Sequence, residues 1–406
     1  MNIFNLSGTL NEMKSIPMSS PDLTDADIAA VNHVLQTRYL SLGPHLVDFE
    51  ERFADYVGAR HAVAVSSGTA GLHLAVIAAG VEEGDLVITT PFSFVSSANC
   101  VLFERAFPLF VDVDPHTLTI DPALVAAVAD DLAQGGDAAS HWLPPALSHA
   151  KFDICRLKAI LPVDVFGQPA DMDPIRQVAD RHKLVIIEDA CEAIGAEYRG
   201  RRAGTLGDVA VFAFYPNKQM TTGEGGMLVT DDEAWASLFR SLRNQGRDIF
   251  DAWLRHTRLG YNYRLDEMSA ALGVSQLKRI NELLARREQV AAWYNERLAD
   301  VEGVRVPYIG PNTTRMSWFV YVVRLASEVG RDRVMAQLKA QGIPSRPYFT
   351  PIHLQPFYVE KFGYQRGDFP VTEKAGDTCL ALPFSSVMTE AQVDYVCKTI
   401  TAAIQR

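Results

Sequence analysis

Phe212 to Gly226 reads FAFYPNKQMTTGEGG, a stretch that places Lys218 between an apolar run and a Gly-rich turn. A lysine in this setting is held on a stiff support close to bare backbone, because glycines leave the main chain exposed. Upstream, Leu184 to Asp189 reads LVIIED, an apolar run that ends in a carboxylate. The two segments predict buried strands, with an amine after one and a carboxylate at the end of the other.

Short apolar runs alternate with amphipathic segments over the first two-thirds of the chain. The candidate strands are Ala62–Val65, Leu86–Thr89, Pro108–Val111, Ala159–Val163, Leu184–Glu188, Asp208–Phe212 and Met227–Thr230. The candidate helices are Thr69–Ala79, Val95–Phe103, Ala123–Asp131 and Asp173–His182. This alternation predicts an α/β fold with a mostly parallel sheet covered on both faces. Ligands of such sheets bind at the carboxyl ends of the strands, where Ser67, Asp189 and Lys218 are expected.

At 406 residues the chain is too long for one ordinary core, and two lobes are expected. The first lobe is predicted to span residues 1–265 and the second residues 266–406, which open with a helical pattern from Asp266 to Leu298. Further predicted elements of the second lobe are a strand near Trp318–Leu325 and helices near Arg331–Ala340 and Thr389–Ala403. Asp131 to Lys151 lacks periodicity and is predicted to be a surface excursion.

The net charge of −11 argues against nucleic acid or an anionic membrane surface as the main partner. No apolar run approaches the ~20 residues that a membrane-spanning helix needs. The cysteines show neither paired nor metal-ligand spacing, which predicts reduced thiols and no metal site. They are Cys100, Cys155, Cys191, Cys379 and Cys397. The composition is therefore typical of a cytoplasmic protein.

Ser67, Gly68 and Thr69 follow a predicted strand and open a predicted helix. Free backbone N–H groups and the helix dipole make such a corner an anion site, to which the hydroxyl groups add donors. An ordinary helix cap explains the same residues. The corner alone does not decide between the two interpretations.

Three further residues near the predicted strand ends are candidates for a ligand site. Asp189 can pair with a cation or cap the following turn, and Glu192 follows it by one helical turn. Phe94 follows the strand Leu86–Thr89, where its ring can lie flat on a cofactor or pack in the core. In sequence order, an anion corner, an aromatic ring, a carboxylate and a lysine are thus expected at one edge of one sheet.

A fixed amine together with a fixed carboxylate is what pyridoxal phosphate chemistry requires. The amine forms a Schiff base with the aldehyde, and the carboxylate keeps the pyridine nitrogen protonated so that the ring withdraws electrons. The constellation therefore predicts a site for pyridoxal 5′-phosphate.

The chain resembles the DegT/DnrJ/StrS-type sugar-nucleotide aminotransferases, a family of fold-type I pyridoxal phosphate enzymes in the aspartate aminotransferase superfamily. The motifs that carry the resemblance are Ser41-Leu42-Gly43-Pro44, Ser67-Gly68-Thr69-Ala70, Glu188-Asp189-Ala190, Gly204-Thr205-Leu206-Gly207-Asp208, Lys218 with Thr222-Gly223-Glu224-Gly225-Gly226, Gly260-Tyr261-Asn262-Tyr263-Arg264 and Leu382-Pro383. The resemblance implies a large domain with a mostly parallel seven-stranded sheet covered by helices, followed by a smaller α+β C-terminal domain.

The resemblance also implies roles for individual residues. Lys218 is the covalent anchor and acid/base, Asp189 pairs with the pyridine nitrogen, and Glu192 lies near the ring oxygen. Phe94 stacks on the ring. The phosphate is bound by Ser67, Gly68 and Thr69, and by Asn262 of the neighbouring subunit, which implies a homodimer with composite active sites.

One residue departs from the family pattern. The family commonly has a serine five residues before the lysine, where it donates to the phosphate, and this chain has Ala213. Tyr215 or Ser67 can supply the missing donor, or the phosphate has one donor fewer.

By resemblance, the amino donor is L-glutamate and the acceptor is a 3- or 4-keto sugar linked to a nucleotide, for the synthesis of lipopolysaccharide, another glycan or a secondary metabolite. Tyr348 and His353 match the segment that faces the sugar, although His353 is equally explained as an ordinary loop histidine. Arg264, Arg247 and Arg346 are candidates for the pyrophosphate, which suits bidentate donors.

The sequence disfavours three other functions. A cofactor-dependent sugar dehydratase or epimerase is disfavoured by Lys218, because dehydratase relatives carry histidine there. A non-catalytic regulatory member is disfavoured by the intact lysine, aspartate and anion corner. A nicotinamide dehydrogenase is disfavoured because no Gly-x-Gly-x-x-Gly follows the early strands.

Overall fold

The computed structural model describes residues 16–147, 156–248 and 255–405. The strands are β1 (His61–Val65), β2 (Leu86–Thr89), β3 (Phe107–Phe110), β4 (Leu157–Ile160), β5 (Val185–Asp189), β6 (Glu197–Tyr198), β7 (Arg201–Arg202), β8 (Val209–Ala213), β9 (Gly226–Thr230), β10 (Val304–Arg305), β11 (Thr313–Arg315), β12 (Tyr321–Leu325) and β13 (Cys379–Leu382). The helices are α1 (Asp25–Leu35), α2 (Pro44–Val57), α3 (Gly68–Ala78), α4 (Ser96–Phe103), α5 (Pro122–Gln134), α6 (Gly136–Trp142), α7 (Met172–His182), α8 (Glu233–Arg243), α9 (Glu267–Lys278), α10 (Ile280–Leu298), α11 (Arg331–Ala340), α12 (Pro356–Phe362), α13 (Pro370–Thr378) and α14 (Glu390–Ile404).

The large sheet has seven strands in the order β1-β9-β8-β5-β4-β2-β3. The strands β8, β5, β4, β2 and β3 are parallel, whereas β9 runs antiparallel to both β8 and β1. The strands are buried almost throughout, as expected for a sheet that is covered on both faces. The predicted α/β class with a mostly parallel seven-stranded sheet is confirmed.

The topology brings the predicted functional segments to one edge of this sheet. Asp189 is the last residue of β5 and pairs with Val211 of β8, so β8 extends two residues further, to Ala213. The segment that follows β8 carries Lys218 and returns as β9. Helix α3 begins at the end of β1, at the same edge, because β1 and β8 both run antiparallel to β9 and therefore end on the same side of the sheet.

Helix α3 lies across the centre of the sheet and is buried on nearly every side. Gly71 makes this close approach possible, because a Cβ atom at this position would lie 2.6 Å from Cγ1 of Val211. The helix is therefore fixed against β8, and its first turn is fixed relative to the strand ends.

The C-terminal part begins with two nearly continuous helices, α9 and α10, and continues with a small antiparallel sheet in the order β10-β12-β13 and the helices α11 to α14. The predicted boundary at 265/266 falls directly before α9. However, α9 packs against α1 and α2, and β11 pairs with β6 from the first part of the chain. The division into residues 1–265 and 266–406 stays a prediction.

The segment from Asp131 to Lys151 contains more regular structure than its composition predicts. Within it lies α6, Ala139 and Leu143 are buried, and Nε1 of Trp142 donates to Oδ2 of Asp131 at 2.7 Å. Most of residues 136–142 are exposed or partly exposed, in keeping with a surface excursion, but the lack of periodicity did not indicate the helix, which tertiary burial stabilises. Residues 148–151 lie outside the described residues.

Over the described ranges, none of the helices is both long and apolar enough to cross a membrane.

Candidate active site

Lys218 projects from the loop between β8 and β9, and its amine meets two groups. Its Nζ lies 3.4 Å from Oε1 of Glu192 and 3.8 Å from the centroid of the Phe319 ring. The backbone N–H of Lys218 donates to the carbonyl of Tyr215 at 2.9 Å, which closes a turn in the loop. A largely buried amine with one carboxylate neighbour and one ring face is thus held at a defined position.

Asp189 is a buried carboxylate, 4% exposed. Its Oδ2 accepts a hydrogen bond from Oγ of Ser97 at 2.7 Å, and its Oδ1 accepts one from the N–H of Cys191 at 3.2 Å. Among the described residues no cationic side chain pairs with it. A buried anion that is bonded only to neutral donors is suited to a ligand that brings a positive charge.

Glu192 connects Lys218 to a neighbouring loop. Its Oε2 accepts from the N–H of Phe166 at 2.8 Å, while its Oε1 faces the Lys218 amine. Burial raises the pKa of Glu192 above its ordinary value, and the Lys218 charge opposes this shift. Glu192 therefore retains a proton to higher pH than an exposed glutamate does, which equips it to exchange a proton with the amine.

Cys191 lies close to Asp189, to Lys218 and to the start of α3. Burial raises the pKa of its thiol well above the ordinary value, and the Asp189 charge raises it further, while Lys218 lowers it. A Cβ atom placed on Gly68 would lie 2.9 Å from Sγ of Cys191 and 2.8 Å from Cβ of Ala213. The start of α3, the β5 carboxylate and the loop lysine thus surround one small region, as the sequence predicted.

The first turn of α3 forms the corner at which the sequence predicts an anion site. Ser67 is its N-cap, and its Oγ accepts from the N–H of Ala70 at 3.1 Å. The N–H groups of Gly68 and Thr69 lie in the first turn, where no helical carbonyl can accept from them. The hydroxyl of Thr69 lies 2.8 Å from that of Ser96. Ser67 thus forms the ordinary helix cap that the sequence allowed, and the N–H groups of Gly68 and Thr69 remain as two further donors.

Phe94 is an exposed aromatic ring at the edge of this region, with 61% of its surface accessible. It lines an open groove of ≈ 950 Å³ together with Tyr348. Tyr348 is half-buried, and its ring is stacked with that of Phe166 at 6.3 Å between centroids. Burial raises the pKa of Tyr348, and the nearby charge of Glu192 adds to the shift. Tyr348 therefore lies within electrostatic reach of Glu192.

Asn262 is exposed and lies on a segment that bridges to Asn244. The carbonyl of Tyr263 accepts from the N–H of Ser66 at 2.9 Å, which ties this segment to the start of α3. Nη1 of Arg264 donates to Oδ1 of Asn244 at 3.1 Å. In the described part of one chain, no side-chain contact joins Asn262 or Arg264 to Lys218, and the role predicted for Asn262 in a neighbouring subunit stays a prediction.

His353 is fully buried, and its Nε2 lies 3.1 Å from Oε1 of Glu373. Rings of Phe369 and Tyr364 pack on it edge to face. Burial lowers the pKa of His353 below its ordinary value. Its place in the core gives no support to the predicted contact with a substrate, and the alternative of a structural histidine describes its surroundings better.

Several residues around the site were not identified from the sequence. Ser97 bonds Asp189, Phe319 lies under the Lys218 amine, and Gln219 donates from Nε2 to the carbonyl of Glu192 at 2.6 Å. Gln219 adjoins Lys218 in sequence, which is a weak signal. Phe319 lies far along the chain, and no local pattern indicates that it returns to this site.

The residues present fit pyridoxal 5′-phosphate. An amine, a buried carboxylate without a cationic partner and a helix start with free N–H groups match the aldehyde, the ring nitrogen and the phosphate of this cofactor. In the described residues, no group of three or more His, Cys, Asp or Glu side chains could hold a metal ion. Fold and site together define a pyridoxal phosphate enzyme of fold type I.

Comparison with known proteins identifies one family within the fold-type I pyridoxal phosphate enzymes. The model of the DegT/DnrJ/EryC1/StrS aminotransferase family matches residues 21–401. GDP-perosamine synthase of Caulobacter vibrioides is 39% identical over 392 residues, which cover 95% of this chain and 98% of the relative. Among solved structures, DesV of S. venezuelae is 34% identical with a TM-score of 0.84, covering 97% of this chain and 99% of its own. DesI, solved in the presence of its TDP-sugar product, is 30% identical with a TM-score of 0.82. The match covers 97% of this chain and 94% of the DesI chain.

The chain belongs to the DegT/DnrJ/EryC1/StrS aminotransferase family. It is an aminotransferase, and its cofactor is pyridoxal 5′-phosphate. The predicted family, reaction class and cofactor are confirmed.

Proposed function

We propose that this enzyme moves an amino group from L-glutamate to the keto carbon of a nucleotide-linked sugar. Two relatives support this acceptor: one is a GDP-perosamine synthase, and the other was solved in the presence of its TDP-sugar product. The observation that carries the proposal is the Lys218 amine beside buried Glu192, at the same strand ends as the buried carboxylate of Asp189, which has no cationic partner among the described residues.

The cofactor, when bound, supplies an aldehyde carbon for amines and an electron-withdrawing ring. In this proposal Lys218 would bind the aldehyde carbon, and Asp189 would hold the proton on the ring nitrogen. The N–H groups of Gly68 and Thr69 would bind the phosphate, with Ser67 capping the helix that presents them. The ring of Phe94, which is exposed in the single chain, would cover one face of the cofactor ring.

Nζ of Lys218 is proposed as the acid/base of the reaction. With the cofactor bound, this nitrogen would accept the proton that leaves the α-carbon of the amino donor. In the second half of the reaction, the same nitrogen would deliver a proton to the sugar carbon that receives the amino group. Glu192, 3.4 Å away, stabilises the charged amine and, with its raised pKa, can take part in the proton exchange.

Recognition of the anionic substrates is proposed to depend on arginines, because the net charge of the chain repels anions. Arg264 bonds only an amide oxygen and forms no ion pair in the described part of the chain. It is therefore available to a carboxylate or pyrophosphate. Tyr348, on the groove beside Phe94, is proposed to face the sugar.

The enzyme is further proposed to act in the cytoplasm as a homodimer, with Asn262 of each subunit completing the phosphate site of the other. The exposure of Asn262 in the single chain supports this arrangement. The proposed large domain spans residues 1–265, and the proposed small domain residues 266–406.

The proposal is tested with purified protein, L-glutamate and a panel of GDP- and TDP-linked 3- and 4-keto sugars, followed by mass spectrometry. One molecule of 2-oxoglutarate is expected per amino sugar formed. Lys218→Ala is expected to abolish turnover, whereas Lys339→Ala, on the exposed face of α11, serves as the matched control. Sugar conversion without 2-oxoglutarate would instead support a dehydratase or epimerase.

A further inference from the structure

Arg287, on α10, is a buried arginine whose charge has no carboxylate partner in the described part of the chain. It is 1% exposed, and burial lowers the pKa of its guanidinium to about 10. The group is therefore still positively charged at neutral pH. Burying a charge costs free energy unless hydrogen bonds replace its lost hydration, so the partners of Arg287 indicate why it is retained.

Those partners are four main-chain carbonyl groups from two separate segments. Nη2 donates to the carbonyl of Lys218 at 2.6 Å and to that of Asn217 at 3.2 Å. Nη1 donates to the carbonyl of Phe319 at 3.0 Å and to that of Trp318 at 3.3 Å. One planar group thus joins the two segments at fixed separation.

The two segments meet again at the lysine amine. The Phe319 ring, whose own carbonyl is bound by Arg287, lies 3.8 Å below Nζ of Lys218. Lys218 comes from the loop after β8, and Phe319 lies two residues before the start of β12 of the small sheet. Arg287 therefore fixes both the backbone that carries the amine and the ring on which the amine rests.

We propose that Arg287 is a positioning residue for Lys218, an inference that rests on the proposed role of Lys218 as cofactor anchor and acid/base. The planar fork of a guanidinium can serve carbonyl groups on two sides at once. A lysine has the same charge, but its three N–H donors are all on one nitrogen at the end of a flexible stem, so it does not reproduce the fork that spans both segments. The identity of the residue, and not only its charge, is expected to matter.

The first test compares Arg287→Lys with Arg286→Lys, a change at the neighbouring position of the same helix. Arg286 is half-exposed and forms ion pairs with Asp22 and Glu282 at 2.9 and 2.6 Å. We expect kcat of Arg287→Lys to fall about 10- to 100-fold, with KM for glutamate changed less than about threefold, because the amine is misplaced for proton transfer. The Arg286→Lys variant is expected to keep wild-type kinetics.

The second test does not depend on any substrate. The cofactor-free full-length chain is mixed with pyridoxal phosphate, samples are trapped with borohydride over time, and the labelled peptide is mapped. Labelling of Lys218 is expected to be about 10-fold slower in Arg287→Lys than in the wild type or in Arg286→Lys. No labelling of Lys218 in the wild type would refute the proposed function. Equal labelling rates and equal kcat in wild type and Arg287→Lys would overturn only the role of Arg287, even if the melting temperature fell.

A double substitution tests whether Arg287 acts through the ring beneath the amine. Phe319→Leu keeps an apolar side chain but removes the ring face. If both changes disturb the same amine, the loss of kcat in the combined variant is smaller than the product of the two single losses. Losses that multiply would show independent effects and overturn the proposal.

Discussion

Ala213 is the residue at which this chain departs from the serine expected by resemblance. Its Cβ faces the start of α3, since a Cβ on Gly68 would lie only 2.8 Å away. The side chain at 213 therefore lies beside the free N–H groups that are proposed to bind the phosphate. Position 213 has no hydroxyl group, and the difference from the family pattern concerns a single donor to the phosphate.

A hydroxyl group at position 213 is expected to strengthen binding of the cofactor phosphate. Ala213→Ser is expected to lower the dissociation constant of pyridoxal phosphate about 2- to 10-fold, the effect of one added hydrogen bond. Ala213→Cys, of similar size but with a weak donor, is the matched control. Binding is measured by absorbance titration of the cofactor-free protein, and equal or weaker binding by the serine variant would contradict the placement of Ala213.

A second prediction concerns the buried histidine. Burial lowers the pKa of His353 below 6.5, while Glu373, Asp368 and Asp112 act in the opposite direction. The unfolded chain therefore binds this proton more readily, and the stability that His353 contributes at neutral pH is lost as the pH falls through 6.5. The contribution changes by at most about 1.4 kcal/mol per pH unit.

The measurement is urea unfolding between neutral pH and mildly acidic pH. Loss of stability on acidification is expected to be smaller in His353→Gln than in the wild type. His116→Gln, at an exposed position, is expected to retain the wild-type slope. Identical slopes for all three proteins would show that His353 takes up a proton equally in both states.

At the scale of elements, the start of α2 depends on a residue that is 224 positions away in the sequence. Its N-cap is Gly43, which has no side chain to accept a hydrogen bond. The carboxylate of Glu267, on α9, accepts from the N–H groups of Gly43, His45 and Leu46 at 2.9, 2.8 and 2.9 Å. This buried carboxylate caps the helix and complements its dipole.

We predict that Glu267→Gln lowers the free energy of unfolding by about 1–3 kcal/mol, because an amide accepts these bonds less well than a carboxylate. Glu282→Gln, half-exposed on α10, is the control and is expected to change stability by less than about 0.5 kcal/mol. Denaturant unfolding of both variants measures the difference. A change in Glu267→Gln no larger than in the control would mean that water replaces the cap.

The family motif at residues 204–208 has a structural role at the same scale. The segment Gly204-Thr205-Leu206-Gly207-Asp208 wraps around the buried carboxylate of Glu188, which accepts from the N–H groups of Gly204, Leu206 and Gly207 at 2.6, 3.0 and 3.0 Å. Glu188 directly precedes Asp189 in β5. The motif therefore stabilises the strand that presents Asp189.

At the scale of the whole molecule, the proposed composite site can be tested by mixing two inactive subunits. Lys218→Ala lacks the amine, and Asn262→Ala lacks the residue proposed to reach the other subunit. A mixed dimer contains one site with Lys218 from one chain and Asn262 from the other, so a fully exchanged mixture is expected to regain about a quarter of wild-type activity.

The readout is turnover after refolding the two variants together, compared with each variant refolded alone. If Asn262 acts in its own subunit, the mixture will show no more than the average of the two variants. An Asn262→Ala variant with full activity by itself would remove Asn262 from the site altogether.

The sequence alone determined the sheet and the central chemical groups. Each of the seven predicted strands of the large sheet has its counterpart within a few residues, because continuous apolar runs separated by helical patterns leave few other packings. Lys218, Asp189, Glu192 and Gly68 were predicted to converge because they follow or end strands of that sheet, and they surround Cys191.

Only the tertiary structure decided what lies around those groups. Phe319 and Arg287 reach Lys218 from distant parts of the chain, and their packing has no local signature in the sequence. His353 matched a substrate-facing segment, yet the fold encloses it in the core beside Glu373. Strand ends are set by short-range patterns, whereas the surroundings of a side chain depend on which distant segments the folded chain brings against it.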